Sequence, residues 1–431
     1  MTCVKLKYLC RIVGGGTPSK ANESFWKGDI PWVSPKDMKS FRISDAKDHI
    51  SLAAVAESAT RIVPPASVLI VVRSGILQHS IPVALNEVRA ALNQDMKALI
   101  PSAALQPEFL AYFIAGSQQR LLAEWTKEGT TVESIEVADL ANTKCPVPSR
   151  ERQTEVVRFL DRETAKIDDL ITKKERISNL LGHRAFALAT QAVLRGLNPS
   201  AQYKPFGSPW ADEIPSHWSV RKLKFVATLQ TGVTLGKTYE AVATCTRPYL
   251  RVANVQDGRL SLEELKTLEI PASEVTRYEL RNGDVLMTEG GDFDKLGRGY
   301  VWEGQVPGCL HQNHIFAVRS RTGALTPEYF AALLRSDYGR TYFTATSQQT
   351  TNLATTNSFK LLNFPIPEPP LTEQRAIVAY LKAADEKAAL AMAKIDAAIS
   401  LLREYRAALI SAAVTGQLDI RKHEKQLEAL A

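Results

Sequence analysis

The chain has 431 residues, 45% hydrophobic and 23% charged, with 53 Lys plus Arg against 46 Asp plus Glu and a net charge of +7. That length allows two to four domains with full cores. The five cysteines (Cys3, Cys10, Cys145, Cys245, Cys309) are odd in number and form no C-x-x-C pair, which argues against a disulfide frame or a cysteine-rich zinc site and for a reducing compartment. No stretch approaches the ~18 apolar residues of a membrane span. The N-terminal segment carries Lys5, Lys7 and Arg11 without a signal-like apolar run, so the expected location is the cytoplasm. The mild basic excess suits a nucleic-acid binder with a local basic surface, and it is equally compatible with an ordinary soluble protein.

Residues 1–145 read as mixed α/β. Short β-branched runs such as Ser67-Val68-Leu69-Ile70-Val71-Val72 alternate with turns, and Pro107 opens a helical patch through Ile114. Residues 150–195 read as one long helix, rich in Ala, Leu, Glu, Lys and Arg, with Ser149 as N-cap and Gly196 as its stop. Residues 198–218, with Pro199, Pro205, Pro209 and Pro215, read as a connector without periodicity. Residues 219–363 repeat the texture of the first domain. Lys222-Leu223-Lys224-Phe225 matches Lys5-Leu6-Lys7-Tyr8, and Asp284-Val285-Leu286 matches Ser67-Val68-Leu69. Residues 372–415 read as a second long helix, from Thr372 as N-cap to Gly416.

The helical parts repeat most closely. Arg152-Gln153-Thr154-Glu155-Val156-Val157-Arg158-Phe159-Leu160 returns as Glu373-Gln374-Arg375-Ala376-Ile377-Val378-Ala379-Tyr380-Leu381, an offset of 221 residues. A period this long means two half-molecules on one chain, not a solenoid. Ile167, Leu170, Ile177, Leu181 and Leu188 form an apolar stripe on the first helix, interrupted by Lys174 and Arg184. Met392, Ile395, Ile399, Leu402 and Leu409 form one on the second, interrupted by Arg406. Each helix would span roughly 65 Å, and the obvious partner for each stripe is the other copy. The expected class is therefore α+β, with two similar mixed α/β domains separated by two long helices that form an antiparallel coiled coil, in a pseudo-two-fold internal repeat. The divisions are 1–145, 146–197, 198–218, 219–363, 364–418 and a tail, 419–431.

Enzymatic motifs are poorly represented. Thr231-Gly232-Val233-Thr234-Leu235-Gly236-Lys237-Thr238 nearly spells a P-loop, but Thr231 stands where Gly is needed, and the first half has Gly14-Gly15-Gly16-Thr17-Pro18-Ser19 instead. Neither Val63-Pro64-Pro65-Ala66 nor Glu368-Pro369-Pro370-Leu371 supplies the aromatic ring that a base methylase stacks on a flipped base. Cys309, His311 and His314 form a C-x-H-x-x-H group that leaves three readings open: zinc without an evident fourth ligand, base contact, or a satisfied loop.

Arg favours guanine, and Asn or Gln favours adenine, in a major groove. On that chemistry the candidate DNA contacts in the first half are Lys36, Arg42, Arg73, Gln78, His79, Thr130 and Thr131. In the second half they are Arg247, Arg251, Asn254, Lys295, Arg298, Gln312, Asn313, His314, Gln348, Gln349 and Asn352. No catalytic or metal-ligating residue is assigned.

The frame Pro365-Ile366-Pro367, then Leu371-Thr372-Glu373-Gln374, then Ile399-Ser400-Leu401-Leu402-Arg403-Glu404-Tyr405-Arg406-Ala407-Ala408-Leu409-Ile410, then Ala413-Val414-Thr415-Gly416, resembles the helical region of the specificity subunits of type I restriction–modification systems. The first copy resembles it through Phe159-Leu160-Asp161-Arg162-Glu163-Thr164-Ala165-Lys166-Ile167-Asp168 and Ala192-Val193-Leu194-Arg195-Gly196-Leu197. Two departures stand out. Arg152 replaces the Glu of the second copy, and the first domain lacks the lead-in of Pro215 and Trp218, so it is expected to begin tersely or further upstream.

The resemblance implies a non-catalytic subunit in which domains 1–145 and 219–363 are target-recognition domains, each reading one half of a bipartite asymmetric site in double-stranded DNA. It implies that the helices set the gap and dock two modification (methyltransferase) subunits, joined by two restriction (translocase/endonuclease) subunits. No cofactor would be bound by this chain; S-adenosylmethionine would sit in the modification subunits, and ATP and Mg in the restriction subunits. The rival readings are a coiled-coil scaffold without DNA readout and a stand-alone DNA-modifying enzyme.

Overall fold

The computed structural model describes residues 2–127, 132–236, 239, 242–256, 258–291, 297, 299–349 and 354–430. The chain divides into two compact units: Met1–Lys174 with Asp396–Ala431, and Glu175–Ile395. The boundaries cut both long helices. Each unit thus joins a globular part to a stretch of each helix, whereas the sequence divisions had kept each helix whole.

In the first unit a five-stranded sheet runs in the order Cys10–Gly14, Met96–Pro101, Val68–Val71, Val83–Asn86, Arg42–Ile43. A four-stranded sheet holds Asp48–Ile50, Ile30–Val33, Ala90–Leu92 and Ile62–Val63. Val68, Leu69, Ile70 and Val71 are all fully buried, which is why this strand reads as a continuous apolar run without alternation. The helix Pro107–Gly116 packs on the larger sheet.

The second unit follows the same plan. Its larger sheet runs Ala227–Thr231, Ile315–Ser320, Asp284–Thr288, Gly299–Val301, and its smaller one Lys266–Pro271, Thr244–Leu250, Leu310–His311. In both units the smaller sheet contains one parallel pair, Trp32 beside Ala91 in the first and Tyr249 beside Leu310 in the second. A buried ion pair is peculiar to the second sheet among these equivalent positions. Arg319 donates from Nε and Nη2 to Asp284 at 2.7 and 2.6 Å, and Asp284 has no exposed surface.

The chain enters and leaves each globular part on one antiparallel pair, Thr2–Lys5 with Lys144–Val147, and Ser219–Lys222 with Pro365–Glu368. The long helices follow directly, Arg150–Arg195 and Leu371–Thr415. Ser149 caps the first, its Oγ accepting from Arg152 N at 3.3 Å. The second starts one residue before the expected cap. Pro370 O accepts from Glu373 and Gln374, so Thr372 lies inside the first turn. Both helices stop at glycines in the left-handed region, Gly196 at φ +69 and Gly416 at φ +76, as a C-terminal stop requires.

The repeated Gln153 and Gln374 anchor these helices. Gln153 is buried; its Oε1 accepts from Gln106 N, and its Nε2 donates to Ala104 O and Pro148 O. Gln374 repeats this with Thr326 N, Ala324 O and Pro369 O. The mismatch between Arg152 and Glu373 also has a local cause. Glu373 accepts from Trp218 Nε1 and contacts His217, whereas Arg152 pairs with Glu155 and donates to Leu418 O.

Within the first unit the two helices run in opposite directions, since Arg152 reaches Leu418 while Asp168 takes both Arg406 donors at 2.9 and 3.1 Å. That pair explains the charge interrupting the second stripe. Within the second unit Leu181, Ala185 and Leu188 share a cavity with Tyr380, Ala384 and Ala388. On the second-helix stripe Ile399 and Leu409 are buried and Met392, Ile395 and Leu402 half-buried. The first differs. Ile167 is buried and Leu181 and Leu188 half-buried, but Leu170 and Ile177 are exposed at 46% and 49%. Ile167, Ile171, Lys174, Ser178, Leu181, Ala185, Leu188 and Ala192, spaced by four and three in turn, are all covered, and Phe186, Ala189 and Thr190 are covered beside them. Leu170 and Ile177 each fall one residue short of this spacing, on the outer face.

The proline-rich segment 198–218 contains a β-hairpin, Tyr203–Ser208 with Ala211–Pro215. A two-stranded ladder tolerates Pro205 because its missing N–H can face outward, and Phe206 packs edge-on against Tyr338. The tail is helical at Ile420–Leu430, and there Glu424 accepts from Arg162 Nη2 at 2.6 Å.

Candidate nucleic-acid interface

Each unit builds one turn in the same way. In the first, Gly15 and Gly16 press on the turn between Ala90–Leu92 and Met96–Pro101. Gly16 N donates to Leu92 O at 2.8 Å, and a Cβ on Gly15 would lie 1.9 Å from Asn93 O. In the second, Val233 N donates to His311 O at 2.8 Å, and a Cβ on Gly232 would lie 2.2 Å from that oxygen. Only glycine allows this approach. The turns close alike, Met96 N on Asn93 O and Ile315 N on Gln312 O. Asn93-Gln94-Asp95 is therefore the counterpart of Gln312-Asn313-His314.

The first turn opens on a cleft of about 900 Å³ whose lining includes Thr17, Trp26, Trp32, Lys36, Asn93 and Gln94. The indole N–H groups are already bonded, Trp26 to Ser19 O and Trp32 to Gly16 O. Their rings meet edge to face at 5.0 Å.

Of the first-half candidates, exposed Lys36 lines this cleft. Arg73 stands beside it, its Nε donating to Asp95 at 2.9 Å. Gln78 donates to Glu133 at 2.6 Å, and exposed His79 follows the short helix Gly75–Gln78. Arg42 points elsewhere, reaching Asp161 of the first long helix at 3.6 Å and Glu87 at 4.0 Å. Thr130 and Thr131 lie outside the described residues.

In the second half, Gln312 and Asn313 are half-buried on the turn. His314 is exposed, its Nδ1 2.7 Å from Glu289 Oε2. Arg247 and Arg251 are half-buried, each with a buried Nε that has no hydrogen-bond partner. Gln348 is exposed on a short strand with Gln349, whose side chain is not among those described. Lys295, Arg298 and Asn352 lie outside the described residues.

Asn254 differs from its sequence assignment. It is buried; its Oδ1 accepts from Arg251 N, and its Nδ2 donates to Ser261 O and Glu264 O. The counterpart is Asp37, which accepts from Ser34 N at 2.8 Å. The amide is turned inward because it closes a capped turn. Asn254→Ala should cost the second unit about 1–3 kcal/mol in denaturant unfolding while leaving any DNA preference unchanged.

His311 is wholly buried, and burial pushes its pKa down to about 4. It is neutral at pH 7, with its Nδ1 2.8 Å from Ile315 O and its Nε2 near Gln230. Burial also raises the Cys309 thiol to about 12. Among the described residues no cluster of His, Cys, Asp and Glu is arranged to hold a metal. In the P-loop-like segment Val233 bridges to Gln312, and the next element is the strand Thr244–Leu250; no described residue from 233 to 243 is helical.

Sequence reasoning missed Asn93, Gln94, Asp95 and Glu289 as members of this site. The glycine step shared by the two halves was the available signal.

The fold and the paired turns define a duplicated α+β scaffold that offers different polar side chains at one shared position. The chain belongs to the family described as type I restriction modification DNA specificity domain, which it matches over residues 1–179 and 215–400. It is similar to the EcoR124I/EcoR124II specificity subunit of Escherichia coli, 42% identical over 150 residues, 35% of this chain and 37% of the relative. The MjaIX specificity subunit of Methanocaldococcus jannaschii is 26% identical over 260 residues, 59% and 58% of the two chains. The EcoKI specificity subunit of Escherichia coli K12 is 24% identical over 315 residues, 72% and 65%. These alignments span about one to two thirds of the relatives' own lengths.

Among solved structures, a chain described under complex assembly and conformational transition of the type I R-M system has a TM-score of 0.70 at 17% identity, covering 97% of this chain and 98% of that one. The HsdS subunit from Thermoanaerobacter tengcongensis gives 0.51 at 17% identity over 97% of each. At that identity the likeness is one of fold.

Proposed function

We propose that this chain is the sequence-reading, non-catalytic subunit of a type I restriction–modification complex. Each globular part reads one half of a bipartite asymmetric DNA site. The long helices fix the gap and dock the modification subunits, two per chain, with restriction subunits joining them. The observation that carries this reading is the shared turn, the same backbone bearing Asn93-Gln94-Asp95 in one half and Gln312-Asn313-His314 in the other. One scaffold with two sets of donors and acceptors is what two different half-sites demand. Exposed Leu170 and Leu401 of the first unit, and exposed Ile177 and Leu180 of the second, each suit a docked protein, since apolar groups are costly to leave in water.

On this reading S-adenosylmethionine acts in the modification subunits, and ATP with Mg in the restriction subunits. The chain incubated alone with S-adenosylmethionine and DNA should transfer no methyl group, whereas its complex with modification subunits should methylate a bipartite motif. Inserting four helical residues after Lys174, about one turn or ~6 Å, should widen the preferred gap by one or two base pairs. A methylome with the original gap would contradict the ruler.

A further inference from the structure

At the shared turn each unit carries one acid–base pair, and the members change places between units. In the first unit Val72 N donates to Asp95 O at 2.8 Å, and in the second Glu289 N donates to His314 O at 2.9 Å. The strand end and the turn therefore meet identically. The first unit puts its acid on the turn (Asp95) and its base just past the strand end (Arg73). The second puts its base on the turn (His314) and its acid at the strand end (Glu289). In both, the carboxylate is the more covered partner, with side-chain exposures of 21% for Asp95 and 31% for Glu289. The nitrogen group faces water, at 60% for Arg73 and 56% for His314. The backbone does not require the exchange, because its hydrogen bonds are the same in both units.

We propose that Arg73 and His314 are the specificity-determining residues of the two halves, with Asp95 and Glu289 as positioning residues that aim them. This rests on the DNA-reading function proposed above. Asp95 holds Arg73 through Nε, which leaves both terminal nitrogens free to donate side by side. That fork matches O6 and N7 of guanine. Glu289 holds His314 at Nδ1, which fixes the exposed ring and leaves Nε2 open to a base edge. The first half-site should therefore contain a guanine read by Arg73, and the second half-site one position read by His314.

The test uses the full chain assembled with its modification subunits and methylome sequencing of the resulting DNA. Arg73→Ala should weaken preference for guanine at one position of the first half by roughly 5- to 100-fold and leave the second half and the gap unchanged. Asp95→Asn should relax that same position less strongly. His314→Ala should relax one position of the second half only. Arg73 is mostly exposed, so its truncation spares the core. A motif unchanged by Arg73→Ala and His314→Ala would overturn the proposal, as would a first half without guanine. So would a uniform fall in methylation with the motif intact, which would mark phosphate contacts, or loss of both halves together. If the unsubstituted complex methylates no bipartite motif, the DNA-reading function itself fails.

Discussion

Gln374→Ala is expected to lower the melting temperature of the second unit by roughly 6–12 °C, and Gln153→Ala to do the same to the first. Each amide is buried and makes three hydrogen bonds, one accepted and two donated, to backbone groups of segments that meet where a long helix begins. Alanine leaves those groups unpaired. Orphaned buried groups cost about 1–3 kcal/mol each, and partial entry of water lowers the sum to about 3 kcal/mol. For a unit of this size each kcal/mol moves the midpoint by roughly 2–4 °C. Gln374→Glu should do little better, because a carboxylate still accepts from Thr326 N but faces the carbonyls of Ala324 and Pro369 with a second acceptor. Calorimetry of the full chain gives the answer. Shifts below about 2 °C for both alanine variants would mean the repeated glutamines are not anchors.

These glutamines show what the sequence made legible. The helical frame repeats because the same clamp is built twice from local residues, and its offset of 221 holds at Gln153 and Gln374. The globular repeat is harder to see because surface loops differ in length. The offset between equivalents is 217 at Trp32 and Tyr249 but 219 at Asp95 and His314. A drifting offset hides the correspondence of Asn93-Gln94-Asp95 with Gln312-Asn313-His314. Only the hydrogen bonds at the glycine steps align them.

Side-chain roles were the least legible. Asn254 has the chemistry of a base reader, yet it closes a turn, because an amide beside unpaired backbone groups satisfies them first. Arg42 likewise meets Asp161, a residue far away in sequence. On the first helix the bulk of Leu170 and Ile177 masks, in the sequence, the regular spacing that covers Lys174 and Ser178. The hairpin in 198–218 was hidden by its prolines, which a free edge accommodates.

Replacing residues 1–145 with the corresponding domain of another family member should have the largest functional effect. Each globular part has its own buried cores, centred on Val33, Leu69, Val71 and Leu92 in the first unit and on Val285, Val318, Tyr329 and Phe364 in the second. Each of the two equivalent turns is built from residues of its own unit alone. Specific sites are typically bound 10³–10⁷ times more tightly than other DNA. With that ratio shared evenly between two independent readers, exchanging one of them should lower methylation of the original motif by at least about 30-fold. The donor domain must keep the contacts that Gln106, Tyr112 and Arg42 make with Gln153, Asp161 and the first helix.

Methylome sequencing of a strain whose only specificity chain carries that replacement is the most direct measurement. Independent reading by two units predicts a new sequence in one half of the modified motif, with the other half and the gap between them as before. New sequence in both halves, or the old motif intact, would contradict it.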